Sequence, residues 1–222
     1  HLSAPPQWMP RQRFWTMRSR FTVIASGALE RHLAFGNNDR PGIMTANAAK
    51  IYLNRYGILT GENIVIATNN DSAYLTASSL SNAGACVTLL DSREQILNSS
   101  QSGVQSTGVD VKSGMSILNA KGSKGVYSID LAEKSPDGWR AKNQMACDLL
   151  LISGGWSPVV NLLSHRGLKP VWDSVNACFI APDHHEPIAM AGSAAGIWDH
   201  AGCVQSGEKA ADHAVAHLHG QR

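Results

Sequence analysis

The 222-residue sequence lacks the features that mark several large classes of protein. Its formal net charge is only +2, from 19 basic and 17 acidic residues, so no basic field indicates a nucleic-acid partner. No apolar run approaches the roughly 20 residues that a membrane-spanning helix needs. The chain does not open with a charged segment followed by an apolar one, so we expect no secretory signal. We therefore predict neither a nucleic-acid nor a membrane partner.

Cysteine is scarce, and its spacing is uninformative for metal or redox chemistry. The sequence contains no C-x-x-C motif, which excludes the usual spacings of a zinc knuckle and of a redox dithiol. Scattered single cysteines usually pack as small core residues, and we interpret all four in this way: Cys86, Cys147, Cys178 and Cys203. Unpaired thiols are typical of a reducing compartment, so the pattern predicts a cytoplasmic protein.

Motifs of hydrolytic and metal-dependent catalysis are also missing. His213 and His217 are four residues apart, but no H-E-x-x-H pattern surrounds them, so we interpret them as a solvated helix end and predict no metal site. No G-x-S-x-G nucleophile elbow occurs, and Ser206 beside Gly207 is interpreted as an ordinary helical residue. We expect no catalytic residue in this chain.

A strand–helix–strand pattern is the clearest structural signal. Residues 64–67 are a β-branched strand, residues 72–80 have small and apolar residues on one helical face, and residues 86–90 form a second apolar strand. Such a βαβ unit predicts parallel pairing and a right-handed crossover.

Further elements are predicted on both sides of this unit. We expect strands at residues 18–24, 109–114, 116–120, 125–131, 147–152 and 188–192, helices at residues 43–56, 92–97 and 204–218, and a hairpin turn at Pro136-Asp137-Gly138.

The loop after the first strand of the βαβ unit departs from the dinucleotide fingerprint. A Rossmann unit carries G-x-G-x-x-G there, so that the backbone approaches a pyrophosphate at the helix N-terminus. Here the loop reads Thr68-Asn69-Asn70-Asp71-Ser72-Ala73. Ala73 still allows close helix–strand packing, whereas Thr68 and Asn70 place side chains where the backbone should be bare.

Two acidic residues add charge to this inner site. Asp71 would satisfy the helix dipole itself and would repel a pyrophosphate by about 1–4 kcal/mol at contact distance. Asp91 follows the second strand, where an acidic residue binds a ribose 2′-hydroxyl; alternatively, it simply ends the strand. Thr68, Asn70, Ala73 and Asp91 are thus the candidate residues of a degenerate inner site, at which we expect no pyrophosphate.

Five stretches resemble the α subunits of heterotetrameric sarcosine oxidases. The resemblance runs over nearly the whole chain, and the degenerate loop is itself the family's version of the fingerprint. The stretches are Ala25-Ser26-Gly27-Ala28-Leu29-Glu30-Arg31, Asn38-Asp39-Arg40-Pro41-Gly42, Tyr52-Leu53-Asn54-Arg55-Tyr56-Gly57, Thr68-Asn69-Asn70-Asp71-Ser72-Ala73-Tyr74 and Cys147-Asp148-Leu149-Leu150-Leu151-Ile152-Ser153-Gly154-Gly155-Trp156.

The resemblance implies a glutathione-reductase-like architecture. The expected fold class is α/β, with a Rossmann-like parallel-sheet inner domain inserted in a second, incomplete dinucleotide-binding domain. Residues 1–60 and 152–222 are expected in the outer domain, and residues 61–151 in the inserted pyridine-nucleotide-type domain. The outer domain's first βαβ unit is expected upstream, and a folate-binding region downstream.

The resemblance also implies a reaction and partners. The family demethylates sarcosine oxidatively to glycine, forms hydrogen peroxide and passes the one-carbon unit to tetrahydrofolate. It implies β, γ and δ subunits as partners, NAD bound by the intact α subunit, FAD in the β subunit and FMN at the α–β interface. Because these flavin sites lie outside this chain, the isolated chain is expected to be inactive.

Two glycine turns form the candidate outer cofactor site. In reductase-like flavoproteins a Gly-Asp pair reaches the ribityl and pyrophosphate part of FAD; Ser193 stands at the Asp position, which favours NAD. A simple turn cap is the alternative for Ser193, and buried packing is the alternative for Trp198. The candidate residues are Ser26, Gly27, Gly192, Ser193, Ala194 and Trp198.

Two other functions stay open from the sequence. One is an NAD(P)H-dependent flavoprotein oxidoreductase of the disulfide-reductase-like superfamily, against which the missing C-x-x-C and fingerprint glycines argue. The other is a non-catalytic scaffold that joins subunits, which is compatible with the oxidase subunit.

Overall fold

The computed structural model describes residues 8, 12–96, 103–104 and 106–220. The chain divides into two compact units. Unit 1 comprises residues 1–27, 160–171 and 180–222, and unit 2 comprises residues 28–159 and 172–179.

The described strands and helices are numbered in chain order. The strands are β1 (Thr22–Ile24), β2 (Ala28–Glu30), β3 (Ile43–Thr45), β4 (Asn63–Thr68), β5 (Cys86–Asp91), β6 (Asp110–Ser113), β7 (Met115–Gly122), β8 (Val126–Ser135), β9 (Gly138–Ala146), β10 (Leu149–Ser153), β11 (Trp156–Pro158), β12 (Val171–Asp173), β13 (Cys178–Ile180) and β14 (Ile188–Met190). The helices are α1 (Ala46–Tyr56), α2 (Ser72–Asn82), α3 (Asn161–Ser164) and α4 (His200–Gly220), and a 3₁₀ turn covers Gly192–Ala195.

Unit 2 is built on a five-stranded parallel sheet in the order β3–β10–β4–β5–β6. Side chains alternate across it because successive residues of a strand point to opposite faces. On β4, Ile64 and Ile66 belong to one core cluster, and Val65 and Ala67 belong to the other. The sheet therefore has a buried core on each face.

Helices α1 and α2 cover one face of this sheet. Tyr74, Ala77 and Leu80 of α2 are buried against it together with Ala46 and Ala49 of α1. The Thr45 side chain accepts the Ala48 N–H at the start of α1. Gly57 ends α1 at φ +65°, a left-handed conformation in which glycine carries no steric penalty. Both ends of α1 are thus set by local residues.

An antiparallel meander of β7, β8 and β9 covers the opposite face. Ile117, Ile129 and Leu131 of the meander share a core cluster with Leu150 and Ile152 of β10. The layers of unit 2 are therefore helices, parallel sheet and meander.

Strand β9 is the outer strand of the meander, and all of its residues except Met145 are exposed. Arg140 forms an ion pair with Asp137 at 2.9 Å, and Lys142 forms one with Glu133 at 2.7 Å.

Unit 1 contains a two-stranded parallel sheet of β1 and β14, the 3₁₀ turn and helices α3 and α4. Thr22 pairs with Ile188 and Ile24 with Met190, so both strands end at the same edge. In the described ranges, no helix combines the length and the apolar character needed to cross a bilayer.

The predicted βαβ unit is confirmed. β4 and β5 pair in parallel over six residues, from Asn63 with Cys86 to Thr68 with Asp91, and α2 lies between them in sequence. The turn predicted at Pro136-Asp137-Gly138 joins β8 to β9.

Three sequence-based predictions are wrong. Residues 43–45 form a strand, because they pair with β10, and the helix begins only at Ala46. Residues 92–96 contain no helix, and residue 97 of that prediction lies outside the described residues. Cys147 and Cys178 are buried as expected, but Cys86 is exposed, because it begins β5 at the rim of the sheet, and Cys203 is half-buried.

The unit boundaries also differ from the predicted ones. Residues 28–60, assigned from the sequence to the outer domain, lie in unit 2, because β3 pairs with β10 and α1 packs on the same sheet. Residues 152–159 lie there too, since β11 pairs with β2. That unit 1 is part of a second dinucleotide-binding domain stays a prediction.

Two leucines of α2 test the helix–sheet core. Leu80→Ala should lower the free energy of unfolding by about 2–5 kcal/mol, because the Leu80 side chain is fully buried. Leu75→Ala is the matched control: Leu75 is 65 % exposed, so a change below about 0.5 kcal/mol is expected. Urea unfolding followed by circular dichroism measures both. Equal losses in the two variants would contradict this packing.

Candidate functional site

The candidate inner site lies at the carboxyl edge of the parallel sheet in unit 2. Thr68, at the end of β4, pairs with Asp91 at the end of β5 and with Ser153 at the end of β10. Ligands of α/β folds bind at this edge, and the loop from Thr68 to α2 occupies it.

Asn70 is the centre of this loop. Its side-chain amide donates to the backbone oxygen of Ser153 at 2.9 Å and to the Ser153 Oγ at 3.2 Å. Its Oδ1 accepts from the Ser72 N–H at 3.1 Å and from the Ser72 hydroxyl at 2.6 Å. Trp156 Nε1 donates to the Ser72 Oγ at 3.0 Å. One carboxamide therefore joins the loop to the end of β10 and, through Ser72, to β11.

Backbone N–H groups of the loop are bonded within the protein. The Asn70 N–H donates to the Thr68 Oγ1 at 3.1 Å, and the Asn69 N–H donates to the Ser153 oxygen at 3.4 Å. A fingerprint loop leaves such groups for a phosphate. Here the Thr68 hydroxyl and the Ser153 backbone oxygen accept these hydrogen bonds.

Asp91 lies at the end of β5 as predicted, but its carboxylate is fully buried. It accepts the Tyr74 hydroxyl at 2.8 Å, the Arg93 backbone N–H at 2.9 Å and the Arg93 Nη2 at 2.7 Å. A carboxylate saturated in this way is not exposed to a ribose. Thr68 and Ala73 are likewise buried, so neither side chain reaches the surface.

Arg93 joins both acidic residues of the inner site. Its Nη2 lies 2.7 Å from Asp91 and 2.8 Å from Asp71. Hydrogen bonding to Asp91 raises the pKa of the Arg93 guanidinium despite its partial desolvation. Burial, together with the hydrogen bond to Asp91, raises the pKa of the Tyr74 hydroxyl. The Tyr74 hydroxyl and the Arg93 guanidinium therefore both keep their protons beside Asp71 and Asp91.

The prediction for Asp71 needs correction. Its side chain makes no capping hydrogen bond to α2, although the residue stands at the N-cap. Its carboxylate instead forms an ion pair at 2.8 Å with Arg93, 22 residues away in sequence. The repulsion of an anion by Asp71 is therefore weaker than the sequence suggested.

The outer-site turns of unit 1 lie together. Gly27 (φ +79°) and Gly192 (φ +65°) follow parallel strands that end at one edge, as predicted. A Cβ built on Gly27 would lie 3.9 Å from the Ser193 Oγ. The structure thus brings Gly27 and Ser193 together, two residues far apart in sequence.

The remaining outer-site residues differ in exposure. Ser26 is exposed and Trp198 is 40 % exposed, so Trp198 is not a fully buried core residue. Ala194, within the 3₁₀ turn, is fully buried, so its side chain does not reach the surface. The Gly192 N–H donates to the Ser206 Oγ at 2.7 Å. Ser206, interpreted from sequence as an ordinary helical residue, therefore contacts the turn.

Several partners of these sites were missed in the sequence. Arg93, Tyr74 and Ser153 act through contacts between distant segments, which no local pattern marks. An arginine two residues after a strand-ending acid is the one available signal for Arg93. Among the described residues, no cluster of three or more His, Cys, Asp or Glu side chains is arranged to hold a metal.

Arg93 and Arg140 provide a matched test of the buried cluster. Arg93→Ala leaves the buried Asp91 carboxylate without a cation and should lower the free energy of unfolding by about 3 kcal/mol, the lower end for a buried pair because Arg93 is 29 % exposed. Arg140→Ala breaks an ion pair whose side chains are 68 % and 82 % exposed, so a change within about 0.5 kcal/mol is expected. Urea unfolding at one salt concentration measures both, and equal effects would disprove the role of Arg93.

Comparison with solved structures supports the fold. A thioredoxin reductase from Lactococcus lactis superposes with a TM-score of 0.70 at 19 % identity, over 90 % of this chain and 66 % of that chain. A thioredoxin reductase from T. acidophilum gives a TM-score of 0.69 at 15 % identity, over 89 % and 66 %. At these identities the likeness shows the fold alone. The predicted α/β fold class is confirmed.

Sequence comparison identifies relatives of higher identity. No protein-family model matches the sequence. The chain is 35 % identical over 225 residues to sarcosine oxidase subunit alpha of Rhizobium meliloti (strain 1021), and 35 % identical over 212 residues to that of Corynebacterium sp. (strain U-96). These alignments cover 98 % and 93 % of this chain, but only 21 % and 22 % of the relatives. The chain is therefore related to the α subunits of sarcosine oxidase, and it spans about a fifth of their length.

Proposed function

We propose that this chain is part of the α subunit of a sarcosine oxidase and that unit 1 forms part of an NAD site. The observation that carries this proposal is 35 % identity to such subunits over almost the whole chain. The complete enzyme would demethylate sarcosine oxidatively to glycine, form hydrogen peroxide and pass the one-carbon unit to tetrahydrofolate. Its partners would be β, γ and δ subunits that carry the FAD and share the FMN.

The geometry of the two turns in unit 1 supports a dinucleotide. Gly27 and Gly192 have positive φ, so no Cβ stands between the backbone and a ligand at this edge of the sheet. Ser193 offers a neutral hydroxyl where a carboxylate would suit the ribityl chain of a flavin. The proposed contacts are Ser26, Gly27, Gly192, Ser193 and Trp198. These residues would bind the NAD molecule and would take no part in a chemical step.

Unit 2 is proposed to be a scaffold rather than a second nucleotide site. Asn70 fills the loop at the start of α2, and Arg93 forms ion pairs with both Asp71 and Asp91. Because these groups satisfy one another, the edge is complete without a ligand. The unpaired cysteines support a cytoplasmic location for the whole subunit.

A flavoprotein oxidoreductase of the disulfide-reductase-like superfamily is the second candidate. The similarity in fold to thioredoxin reductases favours it. The sequence has no C-x-x-C pair, so disulfide chemistry of the thioredoxin-reductase kind has no residues to act through. The two candidates differ in the dinucleotide that they retain.

The identity of the bound dinucleotide separates these candidates. The full-length subunit should release NAD when it is denatured, in a ratio near one per chain, and chromatography identifies the released compound. Stoichiometric FAD with no NAD would favour the second candidate and contradict the NAD site in unit 1.

Two glycines of unit 1 with similar backbone conformations test the role of Gly27. Gly27→Ala in the full-length subunit should weaken NAD binding about tenfold or more, because a methyl group would stand at the cofactor edge. Gly167→Ala is the control: Gly167 has φ +83° against +79° for Gly27, and no atom lies within 4 Å of its added Cβ. Equilibrium dialysis measures both affinities. Equal weakening by the two substitutions would assign the effect to backbone strain.

A further inference from the structure

The turn between β14 and α4 is held at both ends by one face of α4. Ser206 Oγ accepts the Gly192 N–H at 2.7 Å, at the start of the 3₁₀ turn. Cys203 Sγ donates to the Ile197 oxygen at 3.3 Å, just beyond its end. Cys203 and Ser206 are three residues apart, so they project from the same side of the helix.

The Ser206 hydroxyl acts both as an acceptor and as a donor in this arrangement. It accepts from Gly192 and donates its own proton to the Cys203 oxygen at 2.9 Å. A hydroxyl engaged as both donor and acceptor has one preferred orientation. The oxygen that holds Gly192 is therefore fixed by the backbone of α4.

The turn is also fixed by the burial of Ala194 and by the pairing of β14 with β1. Ala194 is fully buried, and the Ala191 N–H donates to the Ile24 oxygen at 2.9 Å, which continues the pairing of β14 with β1. A Cβ on Gly192 would lie 3.7 Å from the Cys203 Sγ, so the turn lies directly against α4. Ser193 therefore lies between Gly192, which is bonded to Ser206, and the buried Ala194.

We propose that Ser206 is a positioning residue for the cofactor turn: by fixing Gly192 against α4, it sets the place of the Ser193 hydroxyl beside Gly27. This inference rests on the proposed NAD site. It assigns Ser206 no contact with the dinucleotide. The Gly192 N–H is bonded to Ser206, so it does not bind the dinucleotide. The Ser193 hydroxyl is then the group of this turn that contacts the dinucleotide.

The test compares four substitutions in the full-length subunit. Ser206→Ala should weaken NAD binding about three- to tenfold, as expected for one lost hydrogen bond. Ser206→Thr keeps the hydroxyl and should bind within about twofold of the unaltered subunit. Ser206→Cys keeps a weak acceptor and should lie between them, and it serves if Ser206→Ala does not fold. Ser164→Ala is the control, since the exposed Ser164 Oγ donates to the oxygen of Val160, the residue just before α3, at 3.5 Å.

Hydrogen exchange over residues 192–197 separates positioning from direct contact. Ser206→Ala should exchange faster there, at about three- to tenfold the original rate, whereas Ser164→Ala should not. Weaker NAD binding with unchanged exchange over this turn would overturn the proposal, as would unchanged binding and exchange in Ser206→Ala.

The two proposals fail in different ways. If the unaltered subunit binds no NAD, the proposed function of unit 1 is wrong, and exchange over residues 192–197 alone then decides whether Ser206 fixes the turn. If NAD binds and Ser206→Thr fails to restore its affinity, the hydroxyl is not the positioning group.

Discussion

The burial of β10 on both faces is the constraint on which the arrangement of unit 2 depends. Leu149 and Leu151 lie in the core beneath the helices, and Leu150 and Ile152 lie in the core beneath the meander. A strand that is apolar on both faces loses little burial when it slips by one residue, so its side-chain pattern alone does not set its register. Polar groups at the two ends of β10 set its register instead. At one end the Asp148 carboxylate accepts the Glu62 and Asn63 N–H groups, and at the other Ser153 is bonded to Asn70.

The same end of β10 shows how the inner sheet edge satisfies its polar groups from within the protein. Buried polar groups left without partners cost about 1–3 kcal/mol each, so these internal hydrogen bonds stabilise the edge. Asn70 supplies both donors and acceptors from one side chain, and Arg93 forms ion pairs with two carboxylates. The turns of unit 1 differ in composition, because Gly27 and Gly192 place no side chain at the edge where their strands end.

The sequence correctly predicted those strands and helices whose local pattern of apolar residues matches their burial in the structure. The apolar run of β4 and the small residues of α2 correctly predicted the βαβ unit. The helix predicted over residues 43–56 ends where expected, before Gly57. Residues 43–45 were assigned to a helix because Ile43 happens to fit its apolar spacing, and only pairing with β10 makes them a strand. The Arg93–Asp71 ion pair and the Gly192–Ser206 bond each join two different segments of the chain, so local spacing does not predict them. Glycines 27 and 192 were recognisable because a tight turn after a strand has its own local signature.

The exposed strand β9 has a consequence for how copies of this protein meet one another. Its outer edge bears unpaired backbone groups over much of a nine-residue strand, which is a template for pairing with a second chain. An antiparallel match of two copies centred on Ala141 would set Arg140 of one opposite Lys142 of the other. Like charges directly opposite each other destabilise a strand pair, so the cations of β9 discourage self-association at that register. Asp137 and Glu133 form ion pairs with these cations, and the pairing of β9 with β8 is irregular between Ala141 and Gln144. Charged side chains and a register shift at the strand centre both disfavour pairing with a second chain.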